Sequence, residues 1–287
     1  MDYNCRIVHD GSHFVATPPT GITRIRNRLQ AVKDITDLHF DQAYIAALKA
    51  GVSKADLPLW IADFMSHEFG DLMGYDEDYV TERIKQKERN LYLRQRRFRQ
   101  KAYLNEWNYF ATFSFDEKLM DEVTFRASLR KCLSNLHTRR GWKYMGVFEY
   151  GEDNGRLHFH ALMYVPDGQM IGGLTDVKRY STKRHKWEAS TENTFFRTRF
   201  GINQFDHIER ADIKSGKVVN YVIKYLLKSD ERIIYSRAIP TELYAIIEDH
   251  EIASEMFDFV RKFVLFDDVF TLYTEPDDEV PEVNRIE

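Results

Sequence analysis

The chain has 287 residues, of which 43% are hydrophobic and 14% aromatic. This length suffices for one large domain with a core, or for a catalytic domain with helical additions. Only two cysteines occur, Cys5 and Cys132, which excludes a disulfide scaffold and a cysteine-rich zinc site and favours a reducing compartment. The sequence has no run of about 18 apolar residues and its N-terminus lacks a signal-peptide layout. We therefore expect a soluble, cytoplasmic protein with no membrane partner.

The formal net charge of −4 is distributed unevenly along the chain. Residues 83–101 contain nine Lys or Arg and one acid, residues 178–199 contain seven and two, and residues 267–287 contain one and eight. A single charged run is typical of a solvated helix face. Two basic stretches on either side of a candidate active site instead favour a polyanionic partner.

The first hundred residues are predicted to be mostly helical. Residues 1–20 form an arm or a pair of strands, and a helical pattern then runs from 22 to 101 with breaks near Gly51, Pro58 and Gly70. The pattern changes at Asn108, where aromatic and β-branched residues predict a strand. We expect residues 1–105 to be an accessory region, with DNA binding as one interpretation.

The central part of the chain predicts alternating strands and helices. Strands are predicted over 109–115, 143–150 and 156–165 and again within 200–209, and helices over 122–140 and 217–229. This order indicates an α+β fold with a central antiparallel sheet flanked by helices. We expect a catalytic core over 106–232, and a helical extension with an acidic tail over 233–287.

Residues 167–198 between these elements are predicted to be an irregular, basic insertion. Its aromatic residues are Tyr180, Trp187, Phe195 and Phe196. Such a segment could bind single-stranded DNA by base stacking and phosphate contacts, or it could be a disordered loop.

His158 and His160 are the first candidate site residues. They lie two apart in an apolar strand, so they point to the same face, and two imidazoles can hold one divalent ion. Structural histidines at a sheet surface would give the same pattern. Glu149 on the preceding strand comes beside them if the two strands form a hairpin. The resulting two-histidine, one-carboxylate site would accept Mn²⁺ or Mg²⁺, with Glu152 and Asp153 as alternative ligands.

Residues 217–229 carry the second group of candidates. On a helix of 100° per residue, Val219, Val222 and Ile223 share one stripe, while Tyr221, Tyr225, Lys224 and Lys228 lie on the other side. The phenol of tyrosine has a pKa near 10. A nearby lysine or metal ion favours the phenolate and neutralises a phosphate under attack. A solvated amphipathic helix is the alternative.

Three segments in order, FATFSF (110–115), GRLHFHAL (155–162) and NYVIKYLLK (220–228), resemble the motifs of HUH endonucleases. They are most similar to the two-tyrosine rolling-circle replication initiators, or Rep proteins, of small single-stranded DNA phages and plasmids. The resemblance implies an HUH/RRM-like catalytic core and a metal held by His158, His160 and an acid such as Glu149. It also implies that Tyr221 and Tyr225 are alternating nucleophiles, assisted by Lys224 and Lys228.

The function that follows is nicking and rejoining of single-stranded origin DNA through a 5′-phosphotyrosine intermediate, in a bacterial host cell. The sequence contains no P-loop motif, so unwinding would require a host or separate helicase, and synthesis a host polymerase. One alternative is a transposase or relaxase with the same chemistry. The other is a non-catalytic protein that binds single-stranded nucleic acid on aromatic strands such as YFATFSF.

Overall fold

The structure is a computed structural model. It describes residues 5–9, 11, 14–17, 35–70, 77–151, 155–181, 185–228, 231–237, 239–245 and 263–265. These residues belong to two compact units, one covering 1–19 with 94–287 and the other covering 20–93. The division of the chain predicted from the sequence, at residues 105 and 232, stays a prediction.

The unit over 20–93 is helical in its described residues. It contains α1 (Ile35–Lys49), α2 (Leu57–Phe69) and the first part of α3 (Glu77–Leu104). Gly51 follows α1 with φ 68°, a left-handed conformation that favours glycine, and Pro58 lies in the first turn of α2, where a missing N–H costs nothing. Apolar side chains at helical spacing form its core, namely Phe40, Ala43, Ala47, Leu57, Ile61, Met65, Val80 and Ile84. The helices and breaks predicted here are confirmed within the described residues.

The larger unit is built on a five-stranded antiparallel sheet. Its strands are β3 (Tyr109–Ser114), β4 (Lys143–Tyr150), β5 (Leu157–Tyr164), β8 (Asn203–His207) and β9 (Ile234–Tyr235). Their order is β8-β3-β5-β4-β9, so β5 lies at the centre between β3 and β4. Together with the helices this is a mixed α+β architecture, which confirms the predicted fold class at that level.

Each face of this sheet packs against helices. On one face, α4 (Glu122–Arg140) and α5 (Thr194–Phe200) bury aromatic residues that include Phe113, Phe148 and Phe159. On the opposite face, α7 (Lys217–Lys228), preceded by the short α6 (Arg210–Lys214), packs on β4 and β5. Alternation along the strands separates the two sets of side chains. The α7 face changes from apolar at Phe110 and Leu162 to polar farther along the same strands.

Two further sheets complete the larger unit. β1 (Cys5–His9), β2 (Phe14–Thr17), β10 (Leu243–Ala245) and β11 (Phe263–Leu265) form one of them, in the order β10-β1-β2-β11. The strand-pair interpretation of residues 1–20 is thus confirmed where the structure describes it. The second sheet is an antiparallel pair, β6 (Leu174–Ser181) and β7 (Lys186–Asn193).

Two predictions from the sequence are wrong for the described residues. The insertion over 167–198, predicted to be irregular, forms the ordered β6–β7 pair followed by α5. The helical extension predicted after residue 233 is replaced by β9, β10 and β11. Among the helices that the structure describes, none combines the length and the apolar character needed to cross a bilayer.

Candidate functional site

The β4–β5 hairpin brings together the three predicted metal ligands. Glu149 pairs directly with His158 in the antiparallel register, and Val147 pairs with His160. Because side chains alternate along a strand, both histidines and Glu149 lie on the sheet face that carries α7. The hairpin on which the Glu149 hypothesis depended is therefore present.

Glu149 and His160 form the closest pair in this group. Their side chains are both buried, and Oε2 of Glu149 lies 3.5 Å from Nε2 of His160. A carboxylate oxygen and the lone pair of an imidazole nitrogen repel each other, so a proton or a cation must lie between them. The distance exceeds that of a strong N–H···O hydrogen bond. The pair is thus suited to share either a proton or a metal ion.

His158 lies on the same face, with its ring centroid 6.0 Å from that of His160. Burial lowers the pKa of His158, as does the neighbouring His160, while Glu149 acts in the opposite direction. These effects favour the neutral imidazole, which is the form that binds metals.

Two hydroxyl groups on β3 hold the rings of both histidines. Oγ1 of Thr112 is 3.1 Å from Nδ1 of His160, and Oγ of Ser114 is 2.5 Å from Nδ1 of His158. Each hydroxyl therefore occupies Nδ1 and leaves Nε2 as the other ring nitrogen, which in His160 faces Glu149. Thr112 and Ser114 were not among the residues predicted from the sequence. Their spacing of two residues within FATFSF, equal to that of the histidines, is the signal that could have identified them.

The donor chemistry fits a divalent ion, although no complete metal centre is formed. Across the described residues, no three His, Cys, Asp or Glu side chains are arranged as a metal site. Two atoms bound to one small ion at about 2.1 Å lie about 3.0–3.4 Å apart. The 3.5 Å between Glu149 and His160 is close to this value. His158 as third ligand stays a prediction, and Glu152 and Asp153 lie outside the described residues.

Helix α7 buries one side and presents the other, as its pattern predicts. Val219, Val222 and Leu226 are fully buried against the sheet, whereas the side chain of Tyr221 is 45% exposed. Gly216 precedes the helix with φ 71°, a conformation open to glycine, and allows the sharp turn from α6.

The two tyrosines of α7 occupy different positions relative to the histidines. The ring of Tyr225 stacks on that of His160, with a centroid distance of 3.9 Å and an angle of 3° between the planes. Tyr221 lies one turn earlier, where its ring meets the edge of Phe110 at 5.5 Å and that of Tyr225 at 5.1 Å. The structure thus places Tyr225 against the Glu149–His160 pair and Tyr221 beside Tyr225.

The two lysines are less closely associated with this group. Lys224 is exposed on α7, one turn from Tyr221. Lys228 ends the helix, and its side chain lies outside the described residues. Assistance by either lysine stays a prediction.

The aromatic residues of β3 are packed inside the protein. Phe110, Phe113 and Phe115 are all buried, so these three rings are not available to stack with bases. This geometry removes the main support for the alternative in which YFATFSF forms a nucleic-acid platform.

One comparison with known proteins gives a match. The family model of the replication-associated proteins of the ORF2 type matches residues 108–230. This range begins just before β3, ends just after α7, and contains every site residue named above. No curated protein and no solved structure matches the chain. The match supports a Rep-like, replication-associated protein whose matched segment carries the whole candidate site.

Proposed function

We propose that this chain is a replication initiator that cuts single-stranded origin DNA by tyrosine attack, as in rolling-circle replication by HUH endonucleases. The observation that carries the proposal is the stacking of Tyr225 on His160, which itself faces the buried Glu149. A nucleophile next to a pair that can hold a cation is the arrangement that phosphodiester cleavage requires. The replication-associated family of the matched segment supports the same function.

The proposed metal ligands are His160, Glu149 and, after side-chain adjustment, His158. A bound Mg²⁺ or Mn²⁺ would supply Lewis-acid stabilisation of the charge that develops on the phosphate oxygens. Thr112 and Ser114 orient the two imidazoles so that both Nε2 atoms are available as ligands. Burial of Glu149 keeps its carboxylate fixed and away from bulk water.

In the covalent step, the phenol oxygen of Tyr225 forms a bond to phosphorus while the bond from phosphorus to the 3′ oxygen breaks. The phenol gives up its proton, and the departing 3′ oxygen gains one and becomes a hydroxyl. The resulting 5′-phosphotyrosine keeps one phosphodiester bond in place of another, so a 3′ hydroxyl can reverse the step without ATP. Tyr221, 5.1 Å from Tyr225, would provide the second nucleophile for the regenerated origin.

The β6–β7 hairpin is the element that we propose contacts the DNA strand near the site. Tyr180 and Trp187 pair across the hairpin with ring centroids 5.8 Å apart, and their side chains are 50% and 68% exposed. Lys186, next to Trp187 in β7, adds an exposed cation. Exposed aromatic rings together with cations are typical of surfaces that bind single strands. Phe196, by contrast, is fully buried in the core and takes no part.

The test is covalent trapping on a single-stranded origin oligonucleotide with Mn²⁺. We expect a protein–DNA adduct at the 5′ end of the cut, which is lost in the double variant Tyr221→Phe with Tyr225→Phe. Tyr92→Phe, which changes an exposed tyrosine of α3, is the matched control and should form adduct at the wild-type level. Tyr225→Phe alone should slow the first cleavage more than Tyr221→Phe does.

An adduct that persists in the double variant would exclude both tyrosines as nucleophiles. Binding of the oligonucleotide without any cleavage, with Mn²⁺ or Mg²⁺, would instead favour a non-catalytic binding protein. A transposase or relaxase would give the same adduct but would not support replication of a circular template with a host helicase and polymerase. Replication in the cytoplasm of a bacterial host therefore distinguishes these functions.

A further inference from the structure

A cleft of about 510 Å³ lies on the face of the five-stranded sheet that is opposite to α7. Its walls are one stripe of α4, at positions 132, 135, 136, 139 and 140, and one stripe of α5, at positions 195 and 199. Residues three or four apart on a helix share a face, so each helix presents a continuous wall. Gln169 and Ile171 complete the lining between them. The volume is within the roughly 300–1,000 Å³ typical of small-molecule sites.

The cleft is positively charged. Arg139, Arg140 and Arg199 line it, all three are exposed, and the lining contains no acidic residue among those the structure describes. None of the three forms an ion pair within the described part of the chain, whereas other arginines of the same unit, such as Arg126 and Arg156, do. Guanidinium groups in this arrangement attract a phosphate, which they can bind through two parallel hydrogen bonds.

The interior of the cleft is apolar and includes an aromatic ring. Leu136 and Cys132 are buried there, and Phe195 is half-buried, so part of its ring faces the cleft. The guanidinium of Arg199 lies 5.9 Å from the centroid of that ring. A planar ring and a guanidinium plane side by side are suited to stack on a nucleobase. The side-chain amide of Asn135 adds a polar group on the same wall.

From these features we infer that the cleft binds one nucleoside phosphate, either a free nucleotide or one residue of a DNA strand. The base would lie against Phe195 and the apolar lining, and the phosphate would contact Arg139, Arg140 and Arg199. The cleft lies across the sheet from Tyr225 and His160, so it forms a second site that takes no part in the cleavage chemistry. This inference does not depend on the proposed function, because binding here requires neither metal nor tyrosine.

The experiment is calorimetric titration of the full chain, without divalent metal, with dAMP, inorganic phosphate and a short oligo(dA). Arg139→Ser and Arg199→Ser should each weaken dAMP binding about tenfold to a hundredfold, because each removes a charge-assisted hydrogen bond. Asn135→Trp should abolish binding, because the indole fills the cleft while every arginine remains. Lys131→Ala is the matched control, since it removes a cation from α4 that does not line the cleft, and it should bind like the wild type.

A second readout places the ligand within the cleft. Cys132 lines it, whereas Cys5 lies in β1, so dAMP should slow alkylation of Cys132 and leave that of Cys5 unchanged. Melting temperatures of the variants show that they are folded. Binding of both dAMP and oligo(dA) would support a free nucleotide as well as a strand, and binding of oligo(dA) alone would support the strand. The inference is overturned if neither binds, if phosphate binds as tightly as dAMP, or if Asn135→Trp still binds.

Discussion

Replacing Thr112 by valine should weaken metal binding while it leaves the fold in place. The hydroxyl of Thr112 is 3.1 Å from Nδ1 of His160, and valine has the same shape without a hydrogen-bonding group. His160 then loses the partner that sets its tautomer and ring orientation. Loss of such a partner typically costs 10- to 100-fold in metal affinity, or about 1.4–2.7 kcal/mol. Since Thr112 is only half-buried, we expect its effect on the free energy of unfolding to stay below about 1.5 kcal/mol.

The assay is cleavage of a single-stranded oligonucleotide as a function of Mn²⁺ concentration, together with direct titration of Mn²⁺ binding. Thr112→Val should need about 10- to 100-fold more Mn²⁺ for half-maximal rate and should approach the wild-type rate at saturation. Thr175→Val, the same change in the exposed part of β6, is the matched control. An unchanged Mn²⁺ dependence in Thr112→Val would show that this hydroxyl does not position a metal ligand, and would refute the reasoning.

Three further predictions address the hairpin, the sheet and a buried phenol. Trp187→Ser should weaken binding of single-stranded DNA about 5- to 100-fold by fluorescence anisotropy, because a stacking surface is lost, whereas Tyr92→Ser should not; equal affinities would contradict the role of the hairpin. Gly146→Ala should lower the free energy of unfolding by about 1–3 kcal/mol in urea titrations, because the new Cβ would lie 2.7 Å from Cβ of Ala161; unchanged stability would contradict this packing. Burial raises the pKa of Tyr144, so the unfolded state loses its proton first and the wild type should lose stability as pH rises above about 10. Tyr144→Phe lacks that component, and parallel pH profiles would contradict it.

The elements around the site could be predicted because their apolar patterns are local. The helix over 122–140 begins after Asp121, whose side chain accepts a hydrogen bond from the N–H of Thr124, and ends at the left-handed Gly141. The strands at 143–150 and 157–164 alternate around a core-facing set, and this alternation alone is enough to assign His158 and His160 to one face.

Other features could not be predicted because they depend on distant pairing. The β6–β7 hairpin has polar residues on both faces, so it lacks the apolar alternation that indicates a strand. β9 and β10 contain two and three residues, and β10 pairs with β1 from the opposite end of the chain. The contacts of Thr112 and Ser114 with the histidines arise from the register of β3 against β5, which no local pattern specifies.

The spacing of the tyrosines on α7 makes the two phenols neighbours that are not interchangeable. Only Tyr225 lies over His160, and buried Val222 fixes the helix between the two rings. A phosphate that passed from Tyr225 to Tyr221 would have to move by about one helical turn, roughly 5.4 Å, relative to His160 and Glu149, unless α7 itself moved along its axis by that amount. Transfer between the two tyrosines is therefore a displacement of a few ångströms within one packed helix. Inserting one residue between them would rotate one ring by about 100° relative to the other and separate the two nucleophiles.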